Sequence, residues 1–320
     1  MPTTITASAT IPDRNLALLD TVDARSRLAG SNTMEILLFS LGTGEIFGIN
    51  VFKVREVMRV PEITRAPEMP AAVEGMVSLR GALVPVVDLT KYAGMDAGKK
   101  PDIMIVTEYN GHTQGFLVEG VDTILRLDWA AMKVPPDMLN ARMGGLVTAV
   151  TELPGGRLVM MLDVEKVLSE ASPYDDEYLF SGIRPLEKTR TVFFADDSTV
   201  ARSQIARTLD TMNIRHFSAN NGRQAWEELQ KIAAQAEAAN TPVSSIVQLV
   251  LTDVEMPEMD GYVLTKLIKN DHRFAGIPVI MHSSLSSSAN QNLGRSVGVD
   301  DYIPKFEPQK LAEVFTRLLG

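Results

Sequence analysis

The chain contains no cysteine. That excludes disulfides, thiolate metal centres and cysteine nucleophiles together. Histidine is scarce: His112, His216, His272 and His282 are the only four, and none has the spacing of a metal-ligand pair. There is no GxSxG elbow and no phosphate-binding glycine loop. No apolar run approaches the roughly 20 residues of a membrane helix. The opening MPTTITASATIPDRN lacks both the basic start and the apolar centre of a secretory signal. Positive charge is also short. With 31 Lys and Arg against 40 Asp and Glu, the net charge of −9 argues against a nucleic-acid or anionic-membrane surface. The expectation is a cytoplasmic protein without inserted segments or nucleic-acid partners. At 320 residues it has room for about two domains, each with its own core.

What is present changes texture along the chain. Residues 1–33 are small and polar, with one weakly amphipathic piece from Leu16 to Leu28, and suit a mobile segment or a short docking helix. Residues 34–170 carry short apolar runs broken by Gly and Pro (EILLFSL, EIFGINV, ALVPVVDL, IMIVTEY, QGFLVEGV, RLVMMLDV), the pattern of an all-β sandwich or barrel. A weak internal echo runs through them. GALVPVVDL (81–89) and GRLVMMLDV (156–164) each end on an acid, Asp88 or Asp163, and FGINVFKVREV (47–57) and GFLVEGVDTIL (115–125) each start from a Gly-led strand. Two similar halves predict paired small barrels with a groove between them; Asp88 and Asp163 read as turn formers at strand ends. Residues 171–188 are acidic and hold two prolines, as a linker would.

From 189 to 320, strand-like TVFFADD, HFSAN, QLVLTD, PVIMHS and DYIPK alternate with helical segments. The last of these places Leu311, Val314, Phe315 and Leu318 on one face. Five βα units predict a doubly wound, five-stranded parallel sheet, whose chemistry gathers at the carboxyl ends of its strands. There the sequence sets Asp196 and Asp197 after the first strand, Asp253 after the third, Ser283 and Ser284 at the fourth and Lys305 at the fifth. Carboxylates brought to one edge repel unless a cation joins them, and hard oxygen donors favour Mg²⁺. Metal, ammonium and hydroxyl together would hold a phosphoryl group.

This constellation resembles the receiver domain of two-component response regulators. The resemblance implies that Asp253 is the phosphoacceptor. It also makes Asp196, Asp197, Asp253 and the Glu255 carbonyl the Mg²⁺ ligands, Ser283 the switch hydroxyl, Lys305 the phosphate contact and Tyr302 the aromatic that responds. MPEMDGY matches the loop after the acceptor; Glu255 and Leu285 match positions that tune water access. The departure is Phe306 after Lys305, where the family has proline; Pro304 precedes instead, which leaves the geometry of the 305–306 bond open. In the first domain, GMVSLRGALVPVVDL after FKVREV resembles the CheW family of chemotaxis coupling proteins. That resemblance implies two SH3-like barrels bridging chemoreceptor tips to the histidine kinase CheA, with Arg80 at the groove, Glu56 as its salt-bridge partner and Val54 facing the receptor.

A CheW-like domain followed by a receiver is the arrangement of the CheV family, from about residue 20 onward. It implies a phosphorylation-regulated adaptor rather than an enzyme, with at most self-phosphorylation and self-dephosphorylation at Asp253. The resemblance further implies a place at receptor arrays. It also leads to the expectation that the fourth helix (near Ser286 to Val297), the fifth strand and the last helix form the face that reaches the first domain. Two alternatives stay open from the residues. One is a phosphate sink that drains the kinase without altering coupling. The other is a doubly wound phosphatase with Asp253 as nucleophile; Glu255 sits where its acid belongs, but no Thr or Ser lies between Val254 and Pro257.

Overall fold

A computed structural model describes residues 33–65, 67, 69–96, 101–109, 112–171, 177–283, 288–305 and 307–320. The N-terminal piece with Leu16 to Leu28, residues 172–176 of the linker stretch, Ser284, Leu285, Ser286 and Phe306 lie outside them.

The first domain is two five-stranded sheets. One runs in the order β8-β1-β2-β10-β9, built from β1 (Thr33–Ser40), β2 (Ile46–Asn50), β8 (Gly120–Asp128), β9 (Val147–Glu152) and β10 (Leu158–Leu162). The other runs β3-β6-β7-β5-β4, from β3 (Val54–Arg59), β4 (Val73–Leu79), β5 (Ala82–Asp88), β6 (Ile103–Tyr109) and β7 (His112–Val118). The inner strands β1 and β6 bury both faces. Ile36 and Leu38 turn into a cluster private to the first sheet, while their neighbours Leu37 and Phe39 enter a cluster shared by both sheets. Met104 and Val106 against Ile103 and Ile105 divide in the same way in the second sheet. This is the period of two that a pleated strand imposes.

The internal echo is structural. β10 lies parallel to Gly-centred β2, and β5 lies parallel to Gly-centred β7. A side chain at Gly48 or Gly115 would collide with the sulfur of Met161 or Met104, so each half keeps a glycine where its core closes. Asp88 caps the short helix α1 (Leu89–Tyr92) by accepting from the Thr90 and Lys91 amides. Asp163 accepts from the Lys166 amide within α3 (Val164–Ala171). One more helix, α2 (Asp137–Arg142), precedes β9.

A short helix, α4 (Glu177–Phe180), leads into the second domain, with the Arg207 guanidinium 4.0 Å from the centre of the Phe180 ring. Its sheet is wholly parallel, in the order β12-β11-β13-β14-β15. The strands are β11 (Arg190–Ala195), β12 (Ile214–Ala219), β13 (Leu249–Thr252), β14 (Val279–Ser283) and β15 (Asp301–Pro304). β13 is buried at every residue, as a central parallel strand covered on both faces must be. Helices α6 (Gly222–Ala238) and α7 (Gly261–Asn270) cover one face, packing Leu229, Ile232, Leu264 and Ile268 against Phe193 and Val250. Helices α5 (Thr199–Thr211) and α9 (Pro308–Leu319) cover the other with Ile205, Leu209, Leu311 and Phe315; α8 (Ser288–Ser296) precedes β15. The last helix buries Leu311, Val314 and Phe315 as its spacing predicts, but Leu319 rather than Leu318 completes the face, and Leu318 is exposed. Among the described residues, no helix is long and apolar enough to cross a membrane.

Candidate functional site

The parallel strands bring the predicted acids together. The Asp253 amide donates to the Ala195 carbonyl at 2.8 Å, which sets the end of β13 beside the end of β11. Asp196, Asp197 and Asp253 then offer carboxylate oxygens that all lie within 4.8 Å of one another. The Lys305 ammonium reaches in from the end of β15, 2.7 Å from Asp253 Oδ2 and 2.9 Å from Asp196 Oδ2. Its own amide donates to the Ser283 carbonyl, and this bond ties the lysine to the hydroxyl-bearing strand. The Tyr302 hydroxyl is hydrogen-bonded to Ser283 and Tyr262. Local geometry also explains MPEMDGY. The chain returns so closely that a Cβ at Gly261 would strike the Asp253 carbonyl, and the Gly261 amide donates to the Val254 carbonyl at 2.9 Å. Asp260 then caps α7 through the Val263 amide.

Electrostatics follow from confinement. Burial pushes the Asp253 carboxyl well above the usual range; Lys305 opposes that, while Asp196 and Asp197 add to it. Asp197 is pushed up to about 7, chiefly by burial, with Lys53 pulling the other way and Asp196 pushing further. Burial would lower Lys305, but Asp196 and Asp253 outweigh it and hold the ammonium charged. His282 is driven down to about 3 by burial and then by Lys305, so it stands neutral behind the site. Such an oxygen donor set, crowded and short of positive charge, fits a hard divalent cation.

Spacing alone missed two contributions. Arg202 donates to the carbonyls of Asp196 and Asp197, at 2.7 and 2.9 Å, and pins the loop that carries them. The first domain supplies the other. The Asn50 amide hydrogen-bonds the Glu255 carboxylate. The Glu258 amide donates to the Trp129 carbonyl at 3.2 Å, Ser198 Oγ donates to Asp163 Oδ1 at 3.5 Å, and α3 packs on α5. Lys53 pairs with Glu165 at 2.9 Å and acts through its charge on Asp197 and Glu255. Glu165, raised by burial but pulled down further by Lys305 and Lys53, sits at about 2 and is ionised. The hydrogen bonds described between the domains therefore lie at the carboxyl edge of the parallel sheet, not on the face of α8, β15 and α9 that the sequence suggested. Asp163 alone of these first-domain residues stood out in the sequence, and then only as a turn former.

The predicted coupling residues divide. Arg80 Nη2 lies 2.9 Å from Glu56 Oε2, with the arginine side chain largely exposed. Arg80 and Gly81 form the two-residue turn between β4 and β5, both with positive φ (50° and 86°). That matches a hairpin of the I′ kind, in which arginine is an unusual occupant. Val54 does not face a partner. It is 2% exposed and belongs to the shared core, because a bulge between Val54 and Glu56 breaks the alternation that would give them one face. Leu83, 73% exposed on β5 beside Arg80, is the apolar side chain that stands out there instead.

Comparison with known proteins agrees with both halves. Residues 35–172 match the model of the CheW-like domain, and residues 192–316 match that of the response regulator receiver domain. Chemotaxis protein CheV1 of Helicobacter pylori is 28% identical over 319 residues, covering 93% of this chain and 97% of CheV1. The chain joins a CheW-like domain to a receiver domain and is similar to CheV proteins along most of its length. Within that CheV arrangement, the first half is similar to chemotaxis protein CheW of Klebsiella aerogenes (31% identity over 147 residues; 45% of this chain, 87% of that one). The second half is similar to CheY1 of H. pylori (35% over 127 residues; 39% and 93%). Among solved structures, the scaffolding protein TtCheW from Thermoanaerobacter tengcongensis is 28% identical, covering 41% of this chain and 84% of that one, with a TM-score of 0.38.

Proposed function

We propose that this CheV-type protein couples chemoreceptors to a CheA-type histidine kinase, and that phosphoryl transfer from the kinase to Asp253 adjusts the coupling. The observation that carries the reading is the convergence of Asp196, Asp197, Asp253, Ser283 and Lys305 at one sheet edge, in a chain whose other half is CheW-like. An Asp253 oxygen attacks the phosphorus of a phosphohistidine in line; the phosphorus–nitrogen bond breaks and the imidazole nitrogen recovers a proton. Such transfer depends on placement and charge compensation more than on covalent help from the protein.

Asp196, Asp197, Asp253 and the Glu255 carbonyl would hold Mg²⁺, whose charge offsets the carboxylates and the incoming phosphoryl oxygens. Lys305 is already placed to neutralise one of those oxygens. Ser283 lies at the end of the adjacent strand, where its hydroxyl can donate to another, and Tyr302 follows because it shares a hydrogen bond with Ser283. Arg80 and Glu56 would form part of the partner-binding edge of the coupling half.

The test is uptake of label from phosphorylated kinase. Wild type should take up phosphate only with Mg²⁺, and Asp253→Asn should take up none. Label that persists in Asp253→Asn, or that is indifferent to chelation, defeats the reading.

A further inference from the structure

We propose that the coupling domain stoppers the phosphoacceptor pocket, with Asn50 and Lys53 as the positioning residues, so that domain docking and loading of Asp253 exclude each other. This rests on the receiver reading above and adds to it a regulator carried within the same chain.

The carboxyl edge of an open parallel sheet is ordinarily a surface crevice, open to ligands. Here it is sealed. Asp196 and Ser283 are fully buried, Asp253 is 3% exposed and Lys305 is 5% exposed. The cover is specific: Asn50 on Glu255, the Trp129 carbonyl on the Glu258 amide, and α3 on α5. It also supplies charge where a metal would. Lys53 comes from the 3-10 turn Val51–Lys53, and its ammonium acts on Asp197 from the coupling side. It thus stands in as a tethered cation.

The lid brings acid too. Docking adds Asp163 and Glu165 to Asp196, Asp197, Asp253 and Glu255, with Lys53, Lys305 and Arg202 as the cations described around them. A phosphoryl group adds nearly two negative charges and needs room for three oxygens and the departing imidazole. It would enter a site that already carries Asp163 and the ionised Glu165 at its edge and has little access to water, where like charges repel most strongly. The donor can therefore reach Asp253 only after the lid lifts, and a loaded site holds the lid off. The coupling is reciprocal: the factor by which docking weakens loading is the factor by which loading weakens docking. If one molecule in ten is open, apparent affinity for a phosphoryl mimic falls about 10-fold.

Asn50→Asp tests the contact with little local disturbance. Its remaining oxygen still accepts the Phe52 amide that caps the 3-10 turn, while the lost amide is replaced by a negative charge facing Glu255. Lys53→Met is the second variant and removes the tethered cation. In the full chain carrying Trp226→Phe, Trp129 is the sole tryptophan and reports the interface. Beryllofluoride with Mg²⁺ is titrated while fluorine NMR follows binding and Trp129 emission follows docking. Both variants are expected to bind beryllofluoride about 10-fold tighter than the parent. Loading should shift the parent's Trp129 emission to the red, toward the position that the variants show before loading. Binding in the variants equal to or weaker than the parent's, or loading that leaves Trp129 unmoved, overturns the stopper but leaves the receiver. Failure of parent and variants alike to bind takes down the receiver reading, and the stopper with it.

Discussion

Asp197 offers a measurable handle on the crowded acids. Its carboxyl is pushed up from 3.8 to about 7, by burial first and then, against the pull of Lys53, by Asp196. With the folded value above the unfolded one, the folded state keeps a proton that the unfolded chain gives up between about pH 4 and 7. Stability contributed by this group is therefore full below pH 4, falls as pH rises to 7, and is flat above. Three units at 1.36 kcal/mol each set a ceiling of about 4 kcal/mol. Residual contact of Asp197 with water lowers that to about 1–3 kcal/mol. Asp197→Asn should thus be more stable than wild type by about 1–3 kcal/mol at pH 8 without metal, and the gain should vanish by pH 4. Saturating Mg²⁺ should raise the wild type toward the variant and leave the variant nearly unchanged. The assay is urea unfolding in chelator, followed through Trp226, which packs against the receiver core. A variant less stable at pH 8, or a difference that does not move with pH, refutes the picture of carboxylates held together against their repulsion.

Three further outcomes are expected. Gly261→Ala drives a methyl into the Asp253 carbonyl and should cost about 3 kcal/mol or more, read as a lowered unfolding midpoint of the receiver, whereas Gly276→Ala meets no neighbouring atom and should cost only the strain of its positive φ. Arg80→Glu should change stability by no more than about 1 kcal/mol, since the pair with Glu56 is exposed, yet weaken capture of receptor–kinase complexes at least 5-fold; unaltered capture returns Arg80 to ordinary surface. Loading the receiver with beryllofluoride should speed amide exchange through residues 51–57, and unchanged exchange there would separate pocket and coupling edge energetically.

How much of this could be read from the chain depended on the range of the interaction. The receiver pocket was legible because a parallel sheet aligns its strand ends. Once Asp196, Asp253, Ser283 and Lys305 each closed an apolar run, topology alone placed them at one edge. The paired β-halves were legible through their echo, since Gly48 and Gly115 meet the same steric demand in each. Val54 was not, because one extra residue in a strand exchanges its faces, and nothing in VREVMR announces the bulge. Leu318 failed for a smaller reason: at the end of α9 a single step in the helical wheel decides which leucine turns inward. The domain contact was the least visible. Asn50 and Glu255 stand 205 residues apart, and neither carries a local pattern that names the other.

The contact bears on whether the receiver is a drain or a switch. A drain needs only access to the kinase, so a sealed pocket works against it: every phosphoryl group accepted must first displace Asn50, Lys53 and the acids behind them. A switch benefits from the same seal. Tethering holds the domains at an effective concentration near millimolar, so a modest interface stays closed without partners and opens for a modest gain. The lid also lies close to the coupling edge. Lys53 ends the 3-10 turn from which β3 begins, and Glu56, three residues on, holds Arg80. Lifting the turn away from Glu255 frees the start of the strand whose bulge sets Glu56 on the outer face. A charge placed on Asp253 is thereby felt at Arg80 through one short stretch of backbone, with no change needed in either core.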